Sequence, residues 1–228
     1  MNTFDPIWET KYNSGHTQRY PWDAVVSFIF RNAPRDQPRN QVNILEVGCG
    51  TASNLWCAAR EGFNVTGIDA SISAIEYAQQ RFKEENLSAD LQVADFTNLP
   101  FENNSFDLII DRCALTCCGF SAAKRAINEI HRVSKTNAIF FFNPYSDFHT
   151  SASSGKKLSD GLISDIQDGT LVDTGQLCFY NRSAIELALK NSWNIFDIEH
   201  LELEKILSSK KSVHAEWRVL AKKIGDSI

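Results

Sequence analysis

Gly48 and Gly50 stand on either side of Cys49, at the end of the run Asn43-Ile44-Leu45-Glu46-Val47. Without a Cβ at those positions the backbone turns sharply and a ligand can lie directly on it. Ser53 to Arg60 then reads as a helix, so the stretch is strand, tight turn, helix, the first unit of a nucleotide-binding sheet. The turn is G-x-G-x-A-x, with Ser53 where a dinucleotide-binding turn has its third glycine. Glu46 precedes Gly48 by two residues. A carboxylate there suits an ammonium or sulfonium and is a poor neighbour for a pyrophosphate. Asp69 follows Gly50 by 19 positions, at the end of the apolar run Phe63 to Ile68. That spacing belongs to the acid that accepts from both hydroxyls of a ribose. Asp95 and Asp111 end two later apolar runs. Carboxyl ends of parallel strands are where an open sheet binds its ligand.

The stretch Glu46-Val47-Gly48-Cys49-Gly50-Thr51 resembles motif I of the class I S-adenosyl-L-methionine (SAM) methyltransferases of small-molecule type. The span Asp95 to Ile109, D-x-x-x-L-P-F-x-x-x-S-F-D-L-I, resembles the same family. The likeness is strong from about Glu46 to Phe142 and looser on the flanks. It implies SAM as cofactor, held by Glu46, Gly48, Cys49, Gly50, Asp69, Ala70, Ser71, Asp95, Phe96, Asp111 and Arg112. Asp95 would accept from the adenine amine, and the backbone after it would meet the ring. Before the sheet come W-x-x-x-Y-x-x-G (Trp8 to Gly15) and Arg19-Tyr20-Pro21-Trp22-Asp23. They resemble the arm that closes over the methionine end of SAM. The resemblance nominates Tyr12, Arg19 and Trp22 for the cofactor and Tyr20 for the acceptor. Arg19 would pair with the SAM carboxylate, which its planar fork matches. A side chain added at Gly48 is expected to enter the ligand's space.

The implied reaction is in-line displacement at the sulfonium, driven chiefly by positioning and exclusion of water. A hydroxyl or amine acceptor gains from a general base, for which His16, Asp111 and His149 are the candidates. Arg112, Asn143, Tyr145 and His149 are placed to touch the acceptor, as is Tyr20. The expected acceptor is a small polar molecule. A sugar hydroxyl is suggested only by the likeness of the R-Y-P-W-D arm and N-P-Y-S loop to uncharacterised bacterial methyltransferases. A catalytically silent SAM-binding subunit and a nicotinamide-dependent oxidoreductase are the alternatives. The missing third glycine and Glu46 count against the second.

Positioning such a site takes an α/β fold. The resemblance implies a three-layer, doubly wound sheet of seven mostly parallel strands with the last antiparallel, plus an N-terminal helical arm. A length of 228 residues suits one domain. Within it, 1–40 reads as the lid arm, 41–143 as the SAM-binding core, 144–180 as a substrate-side loop, and 181–228 as a closing helix and hairpin. Apolar positions Val25, Val26, Ile29 and Phe30 fall at helical spacing, as do Ala74, Ile75, Ala78 and Phe82. Ser73 and Glu76 form a capping box. Asp107 reads as structural, bonding toward the glycine loop, and His131 as structural at a helix end.

Hydrophobic content of 43% and charged content of 22% are ordinary for a globular chain. No apolar run reaches the ~18 residues of a membrane span. Early charges at Asp5, Glu9 and Lys11 do not suit a signal peptide. Six cysteines without metal-ligand spacing suggest reduced thiols and a cytoplasmic protein, with no metal. A net charge of −5 disfavours nucleic acid as partner. A monomer or homodimer is expected.

Overall fold

The computed structural model describes residues 3–207 and 210–225. Two short helices lead in, α1 (Ile7–Asn13) and α2 (Asp23–Asn32). The alternating core follows as β1 (Asn43–Val47), α3 (Ser53–Arg60), β2 (Asn64–Asp69), α4 (Ile72–Glu84), β3 (Asp90–Val93), β4 (Phe106–Arg112), α5 (Phe120–Val133) and β5 (Ser134–Asn143). An insert carries β6 (Lys156–Lys157), β7 (Leu162–Ser164) and β8 (Leu177–Cys178). The chain continues with α6 (Arg182–Leu189), β9 (Trp193–Glu204) and β10 (Val213–Lys223).

Seven strands form one sheet in the order β3-β2-β1-β4-β5-β10-β9. β1 pairs in parallel with β2 and β4, β2 with β3, and β4 with β5, whereas β10 runs antiparallel to β5 and β9. Chain order reverses between β1 and β4, so the crevice at their carboxyl ends is the switch point of the sheet.

Side chains alternate across a strand, so each strand feeds two cores. Leu45, Val47, Ile109, Phe140 and Phe142 pack with Ala126, Ile127 and Ile130 of α5. Ile44, Val65, Leu108, Ile110 and Phe141 face the other way onto Phe28, Leu55, Ile75 and Phe82 of α2, α3 and α4. Helices thus cover both faces, in three layers.

Four local readings need correction. The buried stripe of α2 is Val25, Phe28 and Ile29, while Phe30 is exposed. Starting the helix at Asp23 puts i, i+3 and i+4 from Val25 on the core. Ser71, not Ser73, caps α4, its hydroxyl accepting from the Ala74 N–H at 3.1 Å. Asp107 does not reach the glycine turn. It accepts from the Asn43 N–H at 2.8 Å and from Lys135 Nζ at 2.7 Å, tying β4 to the starts of β1 and β5. Finally, the polar stretch after β5 is built rather than loose. Ile166, Leu171, Leu177 and Phe179 bury a small core of their own, with Tyr145 and Ile163 packed on it. Those few apolar residues, scattered among serines and aspartates, suffice for a three-stranded patch.

All six cysteines are free thiols. Among the described residues no helix is long and apolar enough to cross a membrane, and no group of three or more His, Cys, Asp or Glu side chains is placed to hold a metal ion.

Candidate functional site

The glycine turn adopts the backbone it was read for, Gly48 at φ +65° and Gly50 at φ +52°. Its Cys49 N–H donates to the Ile68 carbonyl at 2.9 Å, locking the turn to β2. Asp69, at the end of β2, completes that lock. Its two oxygens accept from the Gly50 and Ser71 N–H groups, each at 2.8 Å. Burial pushes the Asp69 carboxyl upward, and these backbone bonds work against the rise. The turn, Asp69 and the ends of β3 and β4 open on a cavity of about 180 Å³.

Gly48, Asp69, Ala70, Ala94, Phe96, Arg112, Cys113 and Ala114 form the sheet side of its wall. The arm forms the roof through Phe4, Asp5, Trp8, Tyr12 and Trp22. Tyr145, Leu171, Thr174 and Leu177 close the remaining side, so the insert borders the same space.

The arm is fastened at several points. Glu9 accepts from the Ser71 and Ser73 hydroxyls, each at 2.6 Å, at the N-terminus of α4. A carboxylate there also complements the helix dipole. Those hydroxyls hold the Glu9 carboxyl below its ordinary range. Asp5 accepts from the Ile7 N–H at 3.1 Å and the Gln176 N–H at 3.0 Å, joining arm to insert. The Tyr12 ring lies over Gly50. Further on, Thr51 Oγ1 donates to the Gln18 carbonyl at 2.9 Å, and the Trp22 N–H donates to Asn54 Oδ1 at 2.9 Å. Asn54 Nδ2 in turn donates to Glu46 Oε1 at 2.6 Å. The arm therefore reads directly onto the carboxylate that precedes the glycine turn.

Among the described residues three buried carboxylate oxygens have no hydrogen-bond partner: Glu216 Oε2, which is ion-paired with Arg112, and Glu46 Oε2 and Asp111 Oδ2. Burial raises the Glu46 carboxyl to about 8 and the Asp111 carboxyl to about 7. A buried acid with an orphaned oxygen favours an incoming cation. At the end of β4, Arg112 forms an ion pair with Glu216 of β10 at 3.1 Å, and its guanidinium lies 4.2 Å from the Trp22 ring centre. Burial opposes ionisation of Glu216, but His214, Arg112 and Arg218 outweigh it and hold that carboxyl near 2. Cys113 takes φ +59°, a conformation rare for a side chain, and turns the chain behind Arg112.

Of the residues nominated from sequence, Tyr12, Trp22, Gly48, Asp69, Ala70, Phe96, Arg112 and Tyr145 line the cavity. Glu46, Cys49, Gly50 and Ser71 stand immediately behind that wall. Asp95 sits at the rim, accepting from Thr97 and from the Thr3 hydroxyl of the arm. Other placements are corrected. Arg19 and Tyr20 lie in a separate surface groove with Trp56 and Tyr77. Pro21 and Trp22 turn the arm between that groove and the cavity. His16 is exposed on the outer side of Trp8 and Tyr12. His149 is buried away from the cavity, bonded to Thr170 at 3.0 Å, His214 at 3.2 Å and the Ser151 N–H at 3.0 Å. Burial and His214 lower it to about 4, so it stands neutral. Asn143 is also buried and off the cavity wall; its amide nitrogen donates to the Trp217 carbonyl, and its Oδ1 has no hydrogen-bond partner among the described residues. Asp111 accepts from the Leu115 N–H at 2.9 Å, inside the turn that follows β4. A Cβ on Gly48 would strike Ala114 first, so the demand for glycine there comes from the protein's own chain.

Glu216, Trp8, Phe4, Cys113 and Leu177 were not found from sequence. Glu216 sits on the antiparallel strand more than a hundred residues from Arg112, and no local pattern pairs them. Trp8 opens the arm motif and lines the cavity beside Tyr12.

A family model described as a methyltransferase domain matches residues 44–137, the stretch from β1 into β5. Over that stretch the chain carries a methyltransferase domain. A putative methyltransferase of a Geobacillus strain is 26% identical over 130 residues, 56% of this chain and 52% of that one. The chain thus spans about half the length of that curated relative. Among solved structures, a SAM-dependent methyltransferase of Methanosarcina mazei aligns with a TM-score of 0.70 at 20% identity, over 87% of this chain and 98% of the other. A structure described by the conversion of a disulfide bond into a thioacetal group during echinomycin biosynthesis aligns with a TM-score of 0.72 at 21% identity, over 97% and 92%. Both likenesses show a shared fold.

SAM is the cofactor of such domains, and the residues present fit it. The orphaned Glu46 oxygen behind the glycine turn matches an ammonium, Asp69 a ribose, and Ala94 and Phe96 an aromatic base. Bound there, SAM would supply an activated methyl group.

Proposed function

We propose that the protein transfers a methyl group from SAM to a small-molecule acceptor that enters between Trp22, Arg112 and Tyr145. One observation carries this reading. The crevice at the switch point is lined on one side by Gly48, Asp69, Ala70 and Phe96 and on the other by Arg112 and Tyr145, under a single roof. Cofactor and acceptor would share one water-poor chamber, as methyl transfer by positioning requires. In this reading Tyr12, Trp8 and Trp22 exclude water, and Glu46 and Asp69 orient the cofactor. Trp22 is also bonded through Asn54 to Glu46, which links roof and floor.

Glu46, orphaned and buried, speaks against a pyrophosphate and hence against a nicotinamide cofactor. A sugar hydroxyl is a weak acceptor candidate, because His16, His149 and Asp111 lie off the cavity wall. Calorimetric titration with SAM and with NADH separates the two cofactors. Mass spectrometry of S-adenosylhomocysteine formed with pooled metabolites separates an enzyme from a silent SAM-binding subunit. Tight SAM binding with no turnover on any pool would favour the subunit.

A further inference from the structure

We propose that the acceptor is an organic carboxylate with an apolar body, held by Arg112 and converted to its methyl ester. The inference rests on the SAM reading above and names the substrate class of the same site. Three observations point there. First, the acceptor side of the cavity is largely apolar and carries a cation: Trp22, Leu171, Leu177 and Tyr145 line it with Arg112, and the Thr174 hydroxyl beside them donates to the Leu171 carbonyl. Second, Arg112 is held rigidly by Glu216 at 3.1 Å and by stacking on Trp22 at 4.2 Å. Of its five N–H donors, those toward Glu216 and the Cys113 sulfur are engaged, which leaves a fork for a planar anion. Third, the lining offers no ready general base. It contains no histidine, and its carboxylates are fixed away from the acceptor side by backbone N–H groups, Asp5 by those of Ile7 and Gln176 and Asp69 by those of Gly50 and Ser71. Tyr12, Tyr145, Cys113 and Cys117 are all pushed upward by burial and stay protonated.

A hydroxyl would need a proton acceptor, and an ammonium would be repelled by Arg112. A carboxylate arrives already ionised. Its oxygen lone pair forms the new bond to the methyl carbon, and the carbon–sulfur bond breaks with its pair going to sulfur. Carboxylate and sulfonium become neutral ester and thioether, and no proton moves. Glu216 acts as a positioning residue that aims Arg112.

The test uses the full chain with methyl-labelled SAM. Phenylacetate, hydrocinnamate and hexanoate are offered beside 2-phenylethanol, 2-phenylethylamine and phenylmethanethiol. The expected result is label in the acids alone, released as methanol by mild alkali. Arg112→Met should lower kcat/KM for phenylacetate by about 10- to 100-fold, the loss of a charge-assisted fork. It should weaken phenylacetate binding in calorimetry by a similar factor, with SAM affinity within about twofold. If Arg112→Met unfolds the protein by taking one of the cationic partners from buried Glu216, Arg112→Met with Glu216→Gln removes both charges and must show the same losses. Alkali-stable label in the alcohol, amine or thiol would overturn the proposal. So would SAM binding with none of the acids methylated, and that outcome would leave the cofactor reading standing. Failure to bind SAM would instead remove the reading beneath it.

Discussion

Asp69 pins the glycine turn and lines the cavity, where we propose that it holds the ribose. Asp69→Ala should weaken SAM binding by about 1.5–3 kcal/mol, the worth of hydrogen bonds to a charged group. It should also lower thermal stability, because the Gly50 and Ser71 N–H groups lose their acceptor. Calorimetry and a melting curve read the two effects separately. Unchanged SAM affinity would take Asp69 out of the ribose role. At Gly48 the effect is on folding. Gly48→Val places a β-branched side chain at φ +65° and against Ala114, which should cost about 2 kcal/mol or more in urea unfolding. Full stability with SAM binding lost would show that the space belongs to the ligand after all. Glu46 gives a pH signature. Its carboxyl titrates near 4.5 unfolded and near 8 folded, so the folded state holds the extra proton between those values. Stability of the SAM-free protein should therefore fall as pH rises from about 5 to about 8. Asp111, raised from 3.8 to about 7, acts in the same direction. Glu46→Gln should flatten part of that slope in melting curves, and an unaltered slope would mean that Glu46 is ionised throughout.

The arm is the element whose role is most open to test. Glu9 ties α1 to the start of α4 through two serine hydroxyls. Glu9→Ala should loosen the arm, raise proteolytic cleavage within residues 13–22 and weaken SAM binding by about 0.5–2 kcal/mol, in the range of a lost helix cap. Equal protease resistance with unchanged affinity would make the arm a passive cover. At this scale the sequence was legible where signals were local. The glycine turn, the strand-ending acids and the apolar face of α4 follow from residue type and spacing. The route of the arm did not. Tyr12 and Arg19 belong to neighbouring motifs, yet Pro21 and the Asn54 bond at Trp22 send Arg19 to the surface. The segment after β5 reads from sequence only as a long polar stretch, because its small core rests on long-range contacts among isolated apolar residues.

For the whole molecule, the sheet order, the antiparallel β10 and the switch-point crevice agree with the architecture that the resemblance implied. What eluded sequence reading was pairing across the sheet. Arg112 meets Glu216, and His149 meets His214, because β10 inserts between β5 and β9. His149 illustrates the consequence. As a lone histidine in a polar segment it was a candidate base, while the fold buries it in a neutral cluster. Its lowered value also sets an acid limit. An unfolded histidine binds a proton near 6.5 and the folded one near 4, so stability contributed by His149 is lost as pH falls through that window. His149→Gln should reduce the acid sensitivity of the melting temperature between pH 6.5 and about 4. An unchanged acid limb would place that sensitivity elsewhere.

A crystal structure with S-adenosylhomocysteine bound tests the central claim most directly. The ribose hydroxyls should lie on Asp69, the adenine against Phe96 and the methionine end beneath Tyr12, pointing toward Arg112. Density for the ligand in another cleft, or the same crevice filled by Phe4, Trp8 and Tyr12 at saturating ligand, would contradict it.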